Sequence, residues 1–189
     1  MKAIAFNGSP RIDGNTAMLL STVCAELESN GIETEIMHIG SRDIHGCIAC
    51  GACRKKDAKA CVFDDDVVNE AIQKIAQADA VLIGSPVYFG TLSAQMKAFI
   101  DRVGYAGRPH KLLKGKICAS VVAVRRNGAL AAFNAMNNLF TINESIIVGS
   151  SYWNQGIGRE VGDVQGDEEG IKTMKTLGQN MAGLMLKLK

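Results

Sequence analysis

The chain has 189 residues with 21 basic and 19 acidic side chains, a net charge of +2. Apolar residues make up 47%, charged residues 21% and aromatics only 5%. These values describe one globular domain with a substantial core. With no basic stripe interleaved with aromatics, they speak against nucleic acid or an anionic membrane as partner.

The opening residues, MKAIAFNGSP, hold one lysine and too short an apolar run for a secretory signal. No apolar stretch approaches membrane-spanning length. A reducing, cytoplasmic location is expected, where cysteines more often bind metals or do redox chemistry than form structural disulfides.

In chain order, residues 2–6 predict a short apolar strand, ended by Gly8, Ser9 and Pro10. Residues 15–30 predict a helix, with Met18, Leu19, Val23 and Leu27 on one face and Gly31 as its stop. Residues 32–39 alternate, Ile32, Thr34 and Ile36 against Glu33 and Glu35, as a strand near a sheet edge would. A long cysteine-rich loop follows at 46–61. Asp64, Asp65 and Asp66 then supply acidic residues to the start of a helix that runs to about Gln77. Strands are predicted at 80–83, 117–124 and 146–148, and helices at 93–103, 130–140 and 167–188. The last helix carries a buried stripe of Ile171, Met174, Leu177, Met181 and Leu184, with Asp167, Glu168 and Glu169 at its positive end and Lys187 and Lys189 at its negative end. Apolar strands alternating with amphipathic helices mean a parallel sheet covered on both faces, a doubly wound α/β domain of five strands spanning residues 1–189. Ligands bind such sheets at the carboxyl ends of the strands.

Three loops fall at that edge. Residues 8–16, GSPRIDGNT, leave a strand and enter a helix N-terminus, where free N–H groups and the helix dipole favour an anion. Ser9, Asn15 and Thr16 add short donors, and Arg11 a charged fork suited to phosphate. The loop carries neither the nucleoside-triphosphatase nor the dinucleotide glycine pattern, and no cysteine opens it as a phosphatase nucleophile would. In residues 84–102, Pro86 and the glycines hold a bend, and Tyr88 and Phe89 offer flat apolar surface. Val87 and Gly90 bring backbone groups to the rim of a stacked ring. In residues 124–130, Arg125, Arg126, Asn127 and Gly128 supply donors for a ring carbonyl or its anionic edge. The plain alternatives are a capped βα turn, two core aromatics and a solvated arginine pair. Taken together, the loops suit a terminal phosphate, a spacer and a flat heterocycle.

GSPRxxGNT followed by SPVYFGxxxAxMKxFIDR resembles the flavodoxin-fold NAD(P)H-dependent FMN reductases, and the compact cysteine segment is most similar to their iron–sulfur flavoprotein branch. The resemblance extends over essentially the whole chain. It implies a flavodoxin-like sheet of order 2-1-3-4-5 and one FMN per subunit. Ser9, Arg11, Asn15 and Thr16 would hold its phosphate, and Pro86, Val87, Tyr88, Phe89 and Gly90 its ring, with Arg125, Asn127 and Gly128 less constrained by the motif. A homo-oligomer, dimer or tetramer, is also implied, as is redox chemistry carried by the flavin with no protein acid or base demanded. His38, His45 and His110 are scattered, and none is assigned to catalysis.

Cys47, Cys50, Cys53 and Cys61 form C-x2-C-x2-C-x7-C, and four thiolates are what a [4Fe–4S] cluster needs. Small residues between them, Ala49, Gly51 and Ala52, let the backbone approach sulfur. Lys55, Lys56 and Lys59 make the spacer basic, suited to offset a cluster's negative charge or to receive an acidic, ferredoxin-like donor. Zinc favours two C-x2-C pairs on a longer arm, a reducing compartment disfavours disulfides, and free or oxidised thiols remain open. The loop is expected at the ligand edge beside the flavin, with Cys24 and Cys118 in the core. The leading function is electron transfer through FMN to a two-electron acceptor. The alternatives are an NAD(P)H-dependent FMN or quinone reductase without a cluster, and a non-catalytic flavin-binding sensor.

Overall fold

The computed structural model describes residues 1–55, 58 and 60–188. Four strands make the body of a parallel sheet: β1 (Lys2–Asn7), β2 (Glu33–His38), β3 (Ala80–Pro86) and β4 (Ile117–Val124). With β5 (Ile146–Ile147) the order is β2-β1-β3-β4-β5, as the sequence implied. All these pairs are parallel. Helices α1 (Asn15–Ser29), α2 (Val68–Gln77), α3 (Ala94–Gly107), α4 (Ala129–Ile142) and α5 (Glu168–Lys187) cover both faces.

Strand alternation sorts the core into two layers. Ile4, Phe6, Val81, Ile83, Val122 and Val124 face α2, α3 and α4. Ala3, Ala5, Ala80, Leu82, Ala119 and Val121 face α1 and α5. The second layer is rich in alanine, so α1 and α5 lie close to the sheet, and Met174, Leu177 and Met181 of α5 are fully buried there. Cys24 and Cys118 are core residues, and burial pushes their thiols up to about 11 and about 12.

Two differences from the sequence pattern bear on the site. The fifth sheet position is split: β5 pairs only with Ile117 and Cys118, and a further strand, β6 (Gln155–Ile157), pairs with Val122 to Val124. A three-residue strand holding two polar or glycine positions gives no periodic signal, so the pattern showed only the first piece. In β2, which does form the sheet edge, Ile36 is exposed while Glu35 is half-buried and ion-paired to Lys74 (2.6 Å) and Lys2 (3.3 Å). Those lysines neutralise Glu35 and hold its carboxyl below the ordinary range, Lys74 contributing most. Glu35 can therefore occupy the sheltered side.

Candidate flavin and cysteine sites

The chain after β1 enters α1 through Gly14, and no side chain caps that helix end. Thr16, in its first turn, is 1% exposed, and its Oγ1 is buried without a hydrogen-bond partner. An uncapped helix N-terminus with an orphaned hydroxyl fits an anion such as the phosphate of FMN. Ser9 is buried, and its Oγ accepts from the Arg11 N–H (3.2 Å), so it shapes the turn. The Arg11 side chain stands in solvent. Asn15 is used differently from the sequence expectation: its Nδ2 donates to the Glu160 carbonyl (2.9 Å), and its Oδ1 accepts from the Gly162 N–H (2.9 Å). It ties residues 158–163, which follow β6, to the phosphate loop.

Under the loop, Asn7 Oδ1 accepts from the Ser9 N–H (3.0 Å), while Asn7 Nδ2 donates to the Ile12 carbonyl (3.3 Å) and lies 3.2 Å from His38 Nδ1. An amide nitrogen only donates, so His38 accepts at Nδ1 and is neutral. Burial, aided by Arg42, lowers its basicity.

Loops one and two are joined by serines. Ser93 caps α3, accepting from the Met96 N–H (3.3 Å), and its hydroxyl donates to the Gly8 carbonyl (2.7 Å). Ser85 Oγ accepts from the Ser93 N–H (3.0 Å) and donates to the Pro86 carbonyl (2.8 Å). Between them Tyr88 and Thr91 exchange backbone hydrogen bonds (2.8 and 3.2 Å) across Phe89 (φ +45°) and Gly90 (φ +87°). This is the mirror-image turn, natural for glycine and strained for phenylalanine. Tyr88 is half-exposed and Phe89 wholly exposed, so neither fills core. Loop three meets loop two at Gly128 (φ +95°): a Cβ there would lie 2.8 Å from Val87 Cγ1 and 3.0 Å from Gly90 Cα. Val87, Arg125, Arg126 and Asn127 line an open cleft of about 260 Å³. Pro86, Val87, Tyr88, Phe89, Gly90, Arg125, Asn127 and Gly128 are thus neighbours.

Sequence reasoning missed residues 149–163 at this edge. Tyr152 and Trp153 are exposed and meet edge to face (4.8 Å). Asp163 accepts from the N–H groups of Arg159 (3.0 Å) and Glu160 (2.7 Å), closing a local turn that Asn15 fastens to α1. The glycines at 156, 158 and 162 were the available signal.

The four cysteines Cys47, Cys50, Cys53 and Cys61 line one cavity, with Arg102 and Tyr105 of α3 as its wall. Lys55 is exposed, and Lys56 and Lys59 lie outside the described residues. Cys47 and Cys50 are exposed, while Cys53 is buried and contacts the Tyr105 carbonyl (3.6 Å). Burial first, then the neighbouring Cys61, Cys47 and Cys50 sulfurs, push the Cys53 thiol up. Among the described residues no three His, Cys, Asp or Glu side chains converge tightly enough for one metal ion. The thiols line one narrow space rather than meeting at a point, so it is their donor set, not the room between them, that suits a four-iron cluster; a zinc ion would need its sulfurs at about 2.3 Å.

The cavity is not where the sequence placed it. Arg102 lies nine residues beyond Ser93 along α3, in the half of the helix away from its capped start. The loop leaves the carboxyl edge after β2 but packs against the far half of α3, because Arg102 and Tyr105 give it its buried partners. Arg102 was visible only as part of a motif. It is 1% exposed, and its guanidinium pairs with Asp66. Burial opposes ionisation of Asp66, yet Arg102 and the N–H groups of Val68 and His45 hold its carboxyl below the ordinary range.

The sheet order and the ligand edge define a flavodoxin-like α/β protein, and solved structures agree. A WrbA-like flavodoxin from Agrobacterium tumefaciens superposes with TM-score 0.67 over 100% of this chain and 98% of its own, at 17% identity. Residues 1–159 match the model of the NADPH-dependent FMN reductase family, and the chain belongs to it: it is an FMN-dependent oxidoreductase. An iron-sulfur flavoprotein of Methanocaldococcus jannaschii is 34% identical over the whole of both chains. One of Archaeoglobus fulgidus is 38% identical over 96% of this chain and 79% of its own. Among the described residues no helix is long and apolar enough to cross a membrane.

Proposed function

We propose that this protein is an electron-transfer flavoprotein of the iron–sulfur type, holding FMN at the carboxyl edge and a [4Fe–4S] cluster on Cys47, Cys50, Cys53 and Cys61. The observation that carries this reading is the convergence of four thiols on one cavity in an FMN reductase domain. When bound, FMN supplies two-electron redox chemistry and the cluster supplies one-electron entry. The chain's own contribution is positional. The N-terminus of α1, Thr16 and Ser9 receive the phosphate. Residues 86–90 and 125–128 flank the ring, Gly128 letting the two loops touch. Asn15 fastens residues 158–163 over the phosphate loop. The space between the cysteines is small, so seating a cluster requires the segment carrying Cys47, Cys50 and Cys53 to move outward from Cys61; among the described residues its only helical turn is three residues long.

The reading extends to a cytoplasmic, reducing compartment, a homo-oligomer, and a small ferredoxin-like donor attracted by basic residues such as Arg54 and Lys55. Purification without air, followed by the visible spectrum and iron and sulfide assays, tests it. Brown protein with about four irons per chain supports the reading; yellow, iron-free protein removes it. A second reading, an NAD(P)H-dependent FMN or quinone reductase with incidental cysteines, is favoured by the family match itself. Stopped-flow mixing with NADPH, NADH or reduced ferredoxin separates the two by which of them bleaches the flavin.

A further inference from the structure

We infer that Arg102 is the positioning residue for Cys61: it selects this cysteine as the fourth cluster ligand and sets the electron affinity of whatever that sulfur holds. The inference rests on the cluster reading above and concerns only side chains of this chain.

Among the described residues Arg102 is the largest fully buried side chain. Its Nε donates to Cys61 Sγ (3.3 Å), Nη2 to the Phe63 carbonyl (3.1 Å), and Nη1 to the His45 carbonyl (3.4 Å) and the Asp66 carboxylate. The fork therefore grips the segment just before Cys47 and again just after Cys61, closing the loop from both ends. The Cys61 backbone is fixed separately: its N–H donates to Asn69 Oδ1 (2.7 Å) and its carbonyl accepts from Asn69 Nδ2 (3.1 Å). With the backbone held by α2 and the sulfur held by α3, Cys61 has little freedom left.

Among the described residues Asp66 alone balances the buried charge; it shares Nη1 with the His45 carbonyl, and Nη2 donates to the Phe63 carbonyl. The third nitrogen, Nε, with its single N–H, is aimed at a sulfur. A neutral thiol is a weak acceptor, and a buried guanidinium N–H on it would be poorly satisfied. A metal-bound thiolate carries negative charge and satisfies it. Among the described residues no such charged donor reaches Cys47, Cys50 or Cys53, so one corner of the set differs from the other three. A charged hydrogen bond to ligand sulfur stabilises the reduced, more negative state, and hydrogen bonds to the sulfurs are among the features that set cluster potentials.

The test uses holoprotein isolated without air from wild type, Arg102→Lys, Asp66→Asn and the double variant Arg102→Met with Asp66→Asn. Iron and sulfide are counted, and the midpoint potential of the iron signal is followed by electron paramagnetic resonance, with the flavin midpoint as internal reference. Arg102→Lys is expected to lose iron or shift the iron midpoint to more negative potential, leaving the flavin midpoint in place. Asp66→Asn keeps Nε on Cys61 and removes a buried negative charge, so it is expected to lower the melting temperature and to move the iron midpoint, if at all, to more positive potential, the opposite sense to Arg102→Lys. The double variant leaves no unpaired buried charge and reports the same shift should Arg102→Lys not fold. An iron-replete Arg102→Lys at the wild-type midpoint, or an Asp66→Asn shift equal to that of Arg102→Lys, overturns the inference and leaves a structural ion pair. Wild type without iron overturns the cluster reading, and this inference with it.

Discussion

Thr16→Val is a nearly isosteric change whose two effects have opposite signs. Thr16 Oγ1 is buried without a partner when the phosphate is absent. Burying such a hydroxyl unsatisfied costs about 1–3 kcal/mol. Valine keeps the β-branch and the volume, and Thr16 Cγ2 already lies against the sheet near Gly84. The flavin-free variant should therefore be more stable than wild type by about 1 kcal/mol or somewhat more. With FMN present the sign reverses. A hydrogen bond to a charged phosphate contributes about 1.5–3 kcal/mol, so FMN should bind about 10- to 150-fold more weakly. Riboflavin, which lacks the phosphate, should bind both proteins equally. The measurements are urea denaturation of the flavin-free proteins and fluorescence titration with each flavin. A variant that is less stable when flavin-free, and that binds FMN as wild type does, refutes the assignment of Thr16 to the phosphate.

Three further expectations follow from the geometry. Gly128→Ala should cost about 2–5 kcal/mol, the left-handed backbone adding about 1–2 and the collision with Val87 and Gly90 about 1–3, and should weaken FMN and riboflavin by the same factor; Gly90→Ala, at positive φ but with open space around it, should cost only the backbone share, and equal costs for the two would remove the loop contact from the explanation. Arg11→Ala should weaken FMN but not riboflavin, and equal losses in the two titrations would take Arg11 out of the phosphate site. Asp66 has a folded carboxyl held below its ordinary value of about 3.9, so its stabilisation is complete above that pH and disappears as pH falls through the folded value. The melting-temperature gap between wild type and Asp66→Asn should thus close on acidification below about pH 4, and a gap that stays constant down to pH 3 contradicts the ion-pair origin.

Local pattern carried much of this protein into view. The apolar runs at β1, β3 and β4 and the helical stripes between them gave the doubly wound sheet, because strands buried on both faces must be apolar throughout. The phosphate and ring loops were legible because short donors, glycines and aromatics sit where a strand hands over to a helix, and the cysteine spacing is itself a local signal. Other features depend on residues far apart in sequence. Asn15 was read as a phosphate donor, yet its amide is taken by Glu160 and Gly162, some 145 residues away. β6 has no period of its own and exists because β4 offers it an open edge. The cysteine loop looked bound for the flavin edge, but the buried guanidinium of Arg102 and the backbone of Tyr105 draw it along α3. The sequence by itself determined the fold, the cofactor class and the four thiols. Only the tertiary structure decided which sulfur meets a charge and which half of α3 the cysteine loop packs on, because a buried ion pair and its satisfied hydrogen bonds fix positions that no spacing along the chain encodes.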